Sequence, residues 1–505
     1  MGRFSGLNFV LQGALLLSGL LLLALLWELA RFAVPQMDDF HYALSARDFG
    51  VWGSILHEAE NWVNRPSATG LMSLFVSHFD LFEDYALIPR ALLLGLIGGW
   101  IALTAALFVT RLPLWQWLYL GLITALIFIT TLPVPGQVIF WMSGGVTYGA
   151  GTALLLFYLA ALVSAIRLAR RQPVWALPFW LLALGLAVLT IGFHEALLAS
   201  LVTLTSLLLL AAMIRWLVLR RPGAGWIALP LLILCLGTLA SAGWIVSAEG
   251  PWSRRADKSE ISLVAAIGLS ILFALPLLPG YLLGFISWTA VSLLTIPHWL
   301  ERATGGLFGA ERRLNARGGF ALGASLLIIA STFAVAFYGT GDLGRPRHFT
   351  IALAWCLIFA PLWGWIAVRL FIPSLADWLL HPQRRRARLT ALAAALMLGH
   401  ILSDPLLSEA ATSRFVGGYS PAAALHQQVT ERALAAEAFA QSETEAEILR
   451  LVPLREAPAL LMGHDLDRSP DCLVNQHFAR WFGIGAVAVM PEGPCRNAWR
   501  ASTQK

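Results

Sequence analysis

Two adjacent carboxylates, Asp38 and Asp39, follow directly on a long apolar stretch in the segment "VPQMDDFHYAL". Neighbouring acidic groups repel each other, which raises the pKa of one of them, and an apolar boundary makes their charge more costly. A carboxylate in such a place is suited to bind a cation or to take a proton from a sugar hydroxyl. The alternative is that acidic residues here only solvate the end of a helix. We interpret the pair as a candidate reaction centre.

Basic side chains in two later connections are candidate ligands for a phosphate group. The first connection, "SAEGPWSRRADKSE", contains Arg254, Arg255 and Lys258. The second, "YGTGDLGRPRHFT", contains Arg345, Arg347 and His348. Ordinary loop charge, balanced by nearby acidic residues, explains the first connection equally well. In the second, two arginines around Pro346 lie just before an apolar helix, which favours a lipid phosphate as their partner.

Aromatic and polar residues of three further segments are candidates for lining a substrate cavity. They are His41, Tyr42 and Arg65 after the aspartate pair, Trp141 and Tyr148 in "PVPGQVIFWMSGGVTYGAG", and His194 and Glu195 in "GFHEALL". His348 of the second basic connection belongs to the same set of cavity candidates. Aromatic faces suit sugar rings, and ionisable residues close to a membrane are functional candidates. The alternatives are an interfacial aromatic belt for the second segment and helix capping for Glu195.

The composition identifies the elements that must position these residues as membrane helices. Hydrophobic residues make up 58% and charged residues 13% of the chain, and the mean hydropathy is +0.72, far from the values of soluble domains. A helix needs about 20 apolar residues to cross a bilayer. Such stretches recur from residue 8 to residue 403. We expect the first stretch, at 8–34, to be a helix that is retained, and not a signal peptide that is cleaved.

Apolar windows predict an all-α polytopic membrane protein with eleven transmembrane helices. They lie at 8–34, 86–110, 114–133, 147–167, 174–191, 195–219, 226–246, 281–300, 319–338, 349–372 and 389–403, and 262–277 is interpreted as a membrane-embedded or interfacial helix. With the N-terminus in the cytoplasm, the arginine clusters around 111, 170, 220, 313 and 386 are all inside, as the positive-inside rule requires. Residues 35–85, 134–146, 247–261, 339–348 and 404–505 are then outside.

The two largest outer segments have different predicted structures. Residues 35–85, with eight acidic residues and two basic ones, form two short amphipathic helices at the bilayer surface, anchored by Trp52, Trp62 and Phe75. Residues 404–505 form a small α/β domain, while residues 1–403 form the transmembrane domain. In the C-terminal domain we expect a helix in "SPAAALHQQVTERALAAEAFAQSETEAEIL", strands at 458–463 and 485–490, and a helix at 471–482.

Four cysteines limit the redox and metal chemistry. Cys235 and Cys356 lie in apolar helices, whereas Cys472 and Cys495 are both in the exported C-terminal region. Because the bacterial periplasm is oxidising, the second pair predicts a disulfide. Zinc-ligand spacing, a Cys/His nucleophile pattern and a phosphate-binding glycine loop are all absent from the sequence. We therefore expect no cofactor, no metal and no nucleic-acid partner.

Taken in order, the motifs "MDDFHYA", "NWVNRPSATG", "WMSGGVTYGAG", "IGFHEA" and "DLDRSPDCLVNQHFARWFGIGAVAV" resemble a bacterial family of polytopic membrane proteins in the GT-C glycosyltransferase superfamily. The resemblance spans the whole chain and rests mainly on the aspartate position and the topology. It implies an inner-membrane enzyme of cell-surface polysaccharide assembly. Its donor would be a polyprenyl-phosphate-linked sugar and its acceptor a lipid- or glycan-borne hydroxyl, and the transfer would invert the sugar configuration.

Carried onto this chain, the resemblance implies that Asp38 is the general base and Asp39 its partner. Arg345 and Arg347 would hold the donor phosphate, with His194 and Glu195 near the same cavity. Many relatives of the superfamily have a second carboxylate in the second outer loop, but "PVPGQVIFWMSGGVTY" contains none. This departure favours a metal-independent mechanism.

Other function classes remain open from the sequence. An O-antigen ligase or polymerase usually has a large late outer loop, whereas the long loop here is the first one. A lipid or sugar flippase or transporter would be expected to show internal symmetry or paired broken helices. A structural scaffold of an export machine is a further alternative.

Overall fold

The computed structural model is a helical bundle with one small sheet near the C-terminus. It describes residues 2–109, 112–221, 223–250, 261–274, 282–304, 307–308, 314–341, 345–380, 384–415, 420–442, 448–455, 458–461, 465–491, 493 and 495. Up to residue 403 the described helices are α1 (Gly2–Leu29), α2 (Asp38–Asn61), α3 (Pro66–His78), α4 (Leu87–Phe108), α5 (Leu114–Thr130), α6 (Gly151–Ala169), α7 (Pro173–Ile191), α8 (Glu195–Met213), α9 (Gly225–Ser247), α10 (Leu263–Ala274), α11 (Leu282–Thr295), α12 (Pro297–Thr304), α13 (Ala316–Thr340), α14 (Phe349–Phe371), α15 (Pro373–Leu380) and α16 (Arg384–Ser403).

Eight of the described helical segments are long and apolar enough to cross a membrane. They are Val10–Phe32, Leu87–Phe108, Met142–Ala169, Pro173–Ile191, Glu195–Val218, Gly225–Ser247, Ala316–Gly339 and Pro346–Phe371. A ninth results if Ala391–Ser403 and Pro405–Arg414, which meet at a 43° bend, form one span. The chain is thus a multi-pass membrane protein.

Every one of the eleven predicted segments overlaps a helix. However, eleven crossings also require α5, with 17 residues, and α11, with 14 residues, to span the bilayer. Both lie at or below the length that about 30 Å of hydrocarbon demands. The number eleven therefore stays a prediction, whereas the all-helical class of the apolar part is confirmed.

The helices of the bundle expose many large apolar side chains. Trp355, Trp365 and Tyr158 are fully buried between helices, while Leu17 and Val174 are 70% and 77% exposed. Exposed leucine and valine on long helices are costly in water but favourable against lipid chains. The outward faces of the helices therefore suit a hydrocarbon environment.

The first loop forms two helices, α2 and α3, as the sequence predicts. Gly50 has a φ of +68° inside α2, a left-handed conformation that glycine adopts without strain. The helix bends there, so its two halves fold against each other and His41 in the first half contacts Glu58 in the second. Trp52 is 79% exposed, whereas Trp62 and Phe75 are half-buried.

The second loop is built of irregular helical turns. Two π-helical turns, Gly136–Phe140 and Gly145–Ala150, flank the short helical turn Met142–Gly144. A Cβ atom on Gly144 would lie 2.3 Å from the carbonyl oxygen of Gln137, so this close approach requires glycine. Turns of the π type often mark functional sites.

The loops that the sequence predicts on the outer side contact one another at one end of the bundle. We call this end the Asp39 end. Ser67 N donates to Gly192 O over 3.0 Å, joining the first loop to the connection between α7 and α8. Asn64 Nδ2 donates to Ile245 O over 3.0 Å at the end of α9. Helices α1, α7 and α9 end there, and α4 and α8 begin there, as an alternating bundle requires.

After residue 403 the elements are α17 (Pro405–Arg414), α18 (Pro421–Ala440), β1 (Ile448–Leu451), α19 (Leu473–Phe482) and β2 (Ala486–Val489). The strands pair in parallel with Ile448 opposite Ala486. The predicted strand at 485–490 is therefore correct. The predicted strand at 458–463 is wrong, because its described residues 458–461 form a turn. The partner of β2 is instead "ILRL", which the sequence analysis placed at the tail of a helix.

The C-terminal segment packs on the first loop. Phe478 of α19 contacts Phe40 of α2 with ring centroids 5.2 Å apart, and Arg47 Nη1 donates to Trp481 O over 3.1 Å. Cys472 and Cys495 form a disulfide in the structure, and Cys472 is the N-cap residue of α19. Helix α19 is thus held at its start by the disulfide and along one face by its packing on α2.

Candidate functional site

Asp39 lies at the centre of a hydrogen-bond network that joins the two ends of the first loop to the second loop. Its Oδ2 accepts from Gln36 N at 3.0 Å and from Tyr85 Oη at 2.7 Å. Its Oδ1 accepts from Ser143 N at 2.9 Å and from Ser143 Oγ at 2.6 Å. Tyr85 Oη in turn accepts from Met142 N at 2.8 Å. The carboxylate therefore ties α2 to both the second loop and the turn before α4.

Burial makes this carboxylate unusual but does not make it reactive. Asp39 is 0% exposed, and burial raises its pKa to about 6, with the hydrogen bonds from Ser143, Tyr85 and Gln36 opposing the rise. Four donors fill the roughly four acceptor positions of a carboxylate. Asp39 therefore has no oxygen left for a substrate hydroxyl, and its geometry supports a role in positioning the turn that carries Asp38.

Asp38 has the opposite surroundings. Its side chain is exposed, and it raises the pKa of His41 one helical turn further on. The preceding residue, Met37, has φ 48° and ψ −115°, a conformation that costs a non-glycine residue on the order of 1–3 kcal/mol. The network around Asp39 holds this turn, so Asp38 is presented on a strained and well-fixed helix start.

His41 forms a close pair with Glu58, a residue that the sequence analysis did not single out. Nε2 of His41 lies 3.0 Å from Oε1 and 3.1 Å from Oε2 of Glu58. The Glu58 side chain is 1% exposed and that of His41 26%. Burial is the largest single effect and lowers the pKa of His41, but Glu58 and Asp38 outweigh it, so this pKa lies above its ordinary value. A buried carboxylate thus orients an accessible imidazole.

The C-terminal segment closes over this pair. The rings of His41 and His477 are 4.9 Å apart. Burial, followed by repulsion from His41 and Arg480, lowers the pKa of His477 to about 3, so His477 is neutral at physiological pH. Gln36 Nε2 also donates to Leu461 O over 3.1 Å, which links the Asp39 turn to the same segment.

A second cluster begins with Arg65 and Glu195, both candidates from the sequence. Arg65 Nε lies 3.0 Å from Oε1 and Arg65 Nη2 2.9 Å from Oε2 of Glu195, a two-pronged ion pair. Burial is the largest single effect and lowers the pKa of Arg65, but Glu195 with smaller contributions from Tyr148 and Tyr42 raises it above its ordinary value. The charge of Arg65 is therefore neutralised within the protein.

His194 precedes Glu195 and caps helix α8. Its Nδ1 accepts from Ala196 N at 3.0 Å, so this nitrogen carries no proton and the ring proton is on Nε2. Nε2 lies 3.4 Å from Oε2 of Glu195 and has no hydrogen-bond partner among the described residues. The His194 ring lies 4.8 Å from Tyr148 and 5.4 Å from His348. It therefore offers a buried N–H donor within an aromatic cluster.

Arg347 completes this second cluster. Its Nη1 donates to Gln137 Oε1 over 2.9 Å, and its guanidinium carbon lies 5.0 Å from the centre of the Trp141 ring and 5.9 Å from that of Tyr148. No carboxylate pairs with Arg347 among the described residues. Trp141 Nε1 donates to Gln36 O over 3.3 Å, which joins the two clusters.

The two predicted phosphate-binding arginines have different surroundings. Arg347 is half-buried in the cluster, whereas the Arg345 side chain is exposed and makes no hydrogen bond or ion pair among the described residues, so the two do not form one compact fork. Arg254, Arg255 and Lys258 lie outside the described residues. The structure thus brings together eleven of the predicted residues at the Asp39 end in two linked clusters. These are Asp38, Asp39, His41, Tyr42, Arg65, Trp141, Tyr148, His194, Glu195, Arg347 and His348.

Within the described part of the chain, one group of residues has side-chain atoms close enough to share a metal ion, namely Asp467, Cys472 and Cys495. Both cysteines are in the disulfide, so they offer no thiolate. The predicted metal independence stays a prediction.

Comparisons with protein-family models, with curated proteins and with solved structures found no match.

Proposed function

We propose that this chain is a glycosyltransferase that moves a sugar from a polyprenyl-phosphate-linked donor to a hydroxyl carried by a lipid or a glycan. The observation that carries the proposal is the arrangement of Asp38 and Arg347. An exposed carboxylate and a guanidinium that has no carboxylate partner among the described residues lie at the same end of an apolar bundle, linked through Gln36 and Trp141.

The acidic side of the site supports proton removal from an acceptor. In the proposed transfer, the acceptor oxygen attacks the anomeric carbon, Asp38 takes the hydroxyl proton, and the bond from that carbon to the phosphate oxygen breaks. Asp39 acts by fixing the turn. This assignment revises the expectation that Asp39 is the partner of the general base Asp38, because the four donors around Asp39 occupy its oxygens.

The basic side of the site supports the departure of the phosphate, which keeps the electron pair of the broken bond. Positive charge and fixed N–H donors stabilise such a leaving group. Arg347 supplies the charge, and Nε2 of His194 supplies a buried donor that has no hydrogen-bond partner among the described residues. Trp141 and Tyr148 are buried and hold the guanidinium of Arg347 against their rings.

The membrane setting supports a lipid-linked donor. The site lies where apolar helices begin and end, so a polyprenyl chain would remain in hydrocarbon while its phosphate reaches Arg347. By the positive-inside pattern of the sequence, we place this end in the periplasm and the N-terminus in the cytoplasm of a bacterial inner membrane. The C-terminal segment over α2 then faces the periplasm as well.

The test is transfer by purified protein, supplied with a panel of polyprenyl-phosphate sugars and a lipid acceptor. We expect Asp38→Asn and Arg347→Gln each to reduce the turnover rate at least about a hundredfold. Two exposed neighbours provide matched controls, because Glu60→Gln and Arg345→Gln remove the same charges outside the clusters. Transfer should persist in EDTA if the reaction is metal-independent.

Several outcomes would contradict the proposal. Full transfer by Asp38→Asn would exclude this residue as the base, and equal losses in Arg345→Gln and Arg347→Gln would show that overall charge matters more than the cluster. Release of the intact sugar lipid across the membrane without a new glycosidic bond would indicate a flippase.

A further inference from the structure

Arg90 stands out as the one charged residue of α4 (Leu87–Phe108). Leu87 lies three residues before Arg90 and is 41% exposed, and Leu94 lies four residues after it and is 59% exposed. Positions at these spacings share one face of a helix. Arg90 is therefore on the outward stripe of a membrane-crossing helix, where only lipid or the bilayer interface is expected.

Among the described residues, the guanidinium of Arg90 has an aromatic neighbour but forms no ion pair. Its central carbon lies 5.3 Å from the centre of the Trp27 ring, and its Nε is shielded from solvent without a hydrogen-bond partner. The Arg90 side chain makes no hydrogen bond or ion pair within the part of the chain that the structure describes. The nearby Arg31 differs, since it pairs with Glu28 at 3.0 Å. Of these two interfacial arginines, Arg90 is the one whose charge has no acidic partner among the described residues.

An uncompensated guanidinium beside hydrocarbon is costly unless an anion meets it. Its position suggests where that anion comes from. Trp27 lies near the end of α1 and Arg90 near the start of α4, and Tyr85, five residues before Arg90, bonds to Asp39. Arg90 is thus at the Asp39 end, at the level where an apolar helix enters the headgroup layer. Tryptophan and arginine at this level are typical lipid-headgroup contacts.

The surface below this pair suits a hydrocarbon chain. Leu20, seven residues before Trp27 on the same face of α1, is 47% exposed, and Leu17 is 70% exposed. Leu94 continues the outward stripe of α4 in the same direction. From the headgroup level toward the membrane middle, both helices therefore present leucine.

We propose that Arg90 and Trp27 form a binding site for a phosphate-headed membrane lipid, whose phosphate pairs with the Arg90 guanidinium and whose chains lie along the exposed leucines of α1 and α4. This site is separate from the proposed donor site at Arg347 and does not depend on the glycosyltransferase proposal.

Native mass spectrometry of delipidated protein in a non-ionic detergent tests the site directly. The probes are dioleoyl phosphatidate and dioleoylglycerol, which share their chains and differ in the phosphate. All titrations use an Arg347→Gln background, so that the proposed donor site does not contribute. We expect phosphatidate to bind about fivefold or more tightly than dioleoylglycerol, since one interfacial arginine contributes about 1 kcal/mol toward an anionic lipid.

The additional substitution Arg90→Gln should abolish this preference, and Arg90→Lys should retain part of it. Arg31→Gln, the paired neighbour, should leave it unchanged. Melting temperatures of all variants establish that they are folded. Equal binding of the two lipids, or an undiminished preference in Arg90→Gln, would overturn the site. Displacement of phosphatidate by millimolar inorganic phosphate would overturn its assignment to a lipid in favour of a free anion.

Discussion

The substitution Glu58→Gln tests whether a buried carboxylate controls the protonation of His41. In the folded protein Glu58 raises the pKa of His41 through a hydrogen bond and through its charge, while burial lowers it. Glutamine keeps the size of the side chain but removes the charge. Burial then lowers the pKa of His41 without the opposing charge of Glu58. The pKa should therefore fall from above to below its ordinary value of about 6.5.

The magnitude follows from the geometry of the pair. The nitrogen and oxygen atoms are 3.0 Å apart, with Glu58 1% and His41 26% exposed. A hydrogen bond to a charged group at such a site contributes about 1.5–3 kcal/mol, and about 1.4 kcal/mol corresponds to one pKa unit. We therefore expect a downward shift of about one to two units.

The sign of the stability change follows from the same shift. A histidine whose folded pKa is raised stabilises the protein fully below its unfolded pKa of about 6.5, and this contribution disappears as the pH rises through the folded pKa. Glu58→Gln should therefore lower the melting temperature more at pH 5 than at pH 9.

Titration of ¹³C-labelled histidine by NMR measures the pKa, with the His41 signal assigned by its loss in His41→Gln. Glu60→Gln is the matched control, because Glu60 lies two residues further along α2 and is exposed. An unchanged His41 pKa in Glu58→Gln, or an equal shift in Glu60→Gln, would refute the reasoning.

Three further substitutions test the frame of the site by thermal melting or proteolysis. Asp39→Asn should lower the free energy of unfolding by about 2–4 kcal/mol, because the NH₂ group of the asparagine would face two N–H or O–H donors in a buried network. Asp38→Asn should melt like the wild type. Equal losses of stability in the two variants would contradict the assigned roles. Arg65→Lys should cost about 1–2 kcal/mol, since lysine cannot make the two-pronged contact with Glu195, and an unchanged melting temperature would count against that contact. Cys472→Ser should make the C-terminal segment more sensitive to protease. The disulfide joins two cysteines 23 residues apart, and such a bridge stabilises a fold by about 3 kcal/mol. Cleavage at the wild-type rate would show that packing on α2 is enough to protect the segment.

Much of the candidate site could be predicted because its residues are chemically conspicuous. Asp38, Glu195 and Arg347 are charged groups at the ends of apolar segments, and charge in such places is rare without a reason. Their alternation with arginine-rich loops also indicates that they share one side of the membrane. The structure places them at one end of the bundle, in agreement with this reasoning.

Other members of the site give no such signal in the sequence. Glu58 looks like one of several acidic residues in the first loop, and only the bend at Gly50 brings it onto His41. Tyr85 and Ser143 are ordinary polar residues until the fold brings both to Asp39. Contacts between residues 46 and 104 positions apart cannot be inferred from local patterns.

The sequence by itself determined that the chain is a multi-pass helical membrane protein, because apolar length and charge at helix ends act locally and need no partner. Only the tertiary structure decided that the neighbouring aspartates have different surroundings. Asp38 and Asp39 share their sequence context, but successive side chains of a helix point about 100° apart. Asp39 therefore turns into a closed set of four donors, and Asp38 turns toward the exposed face.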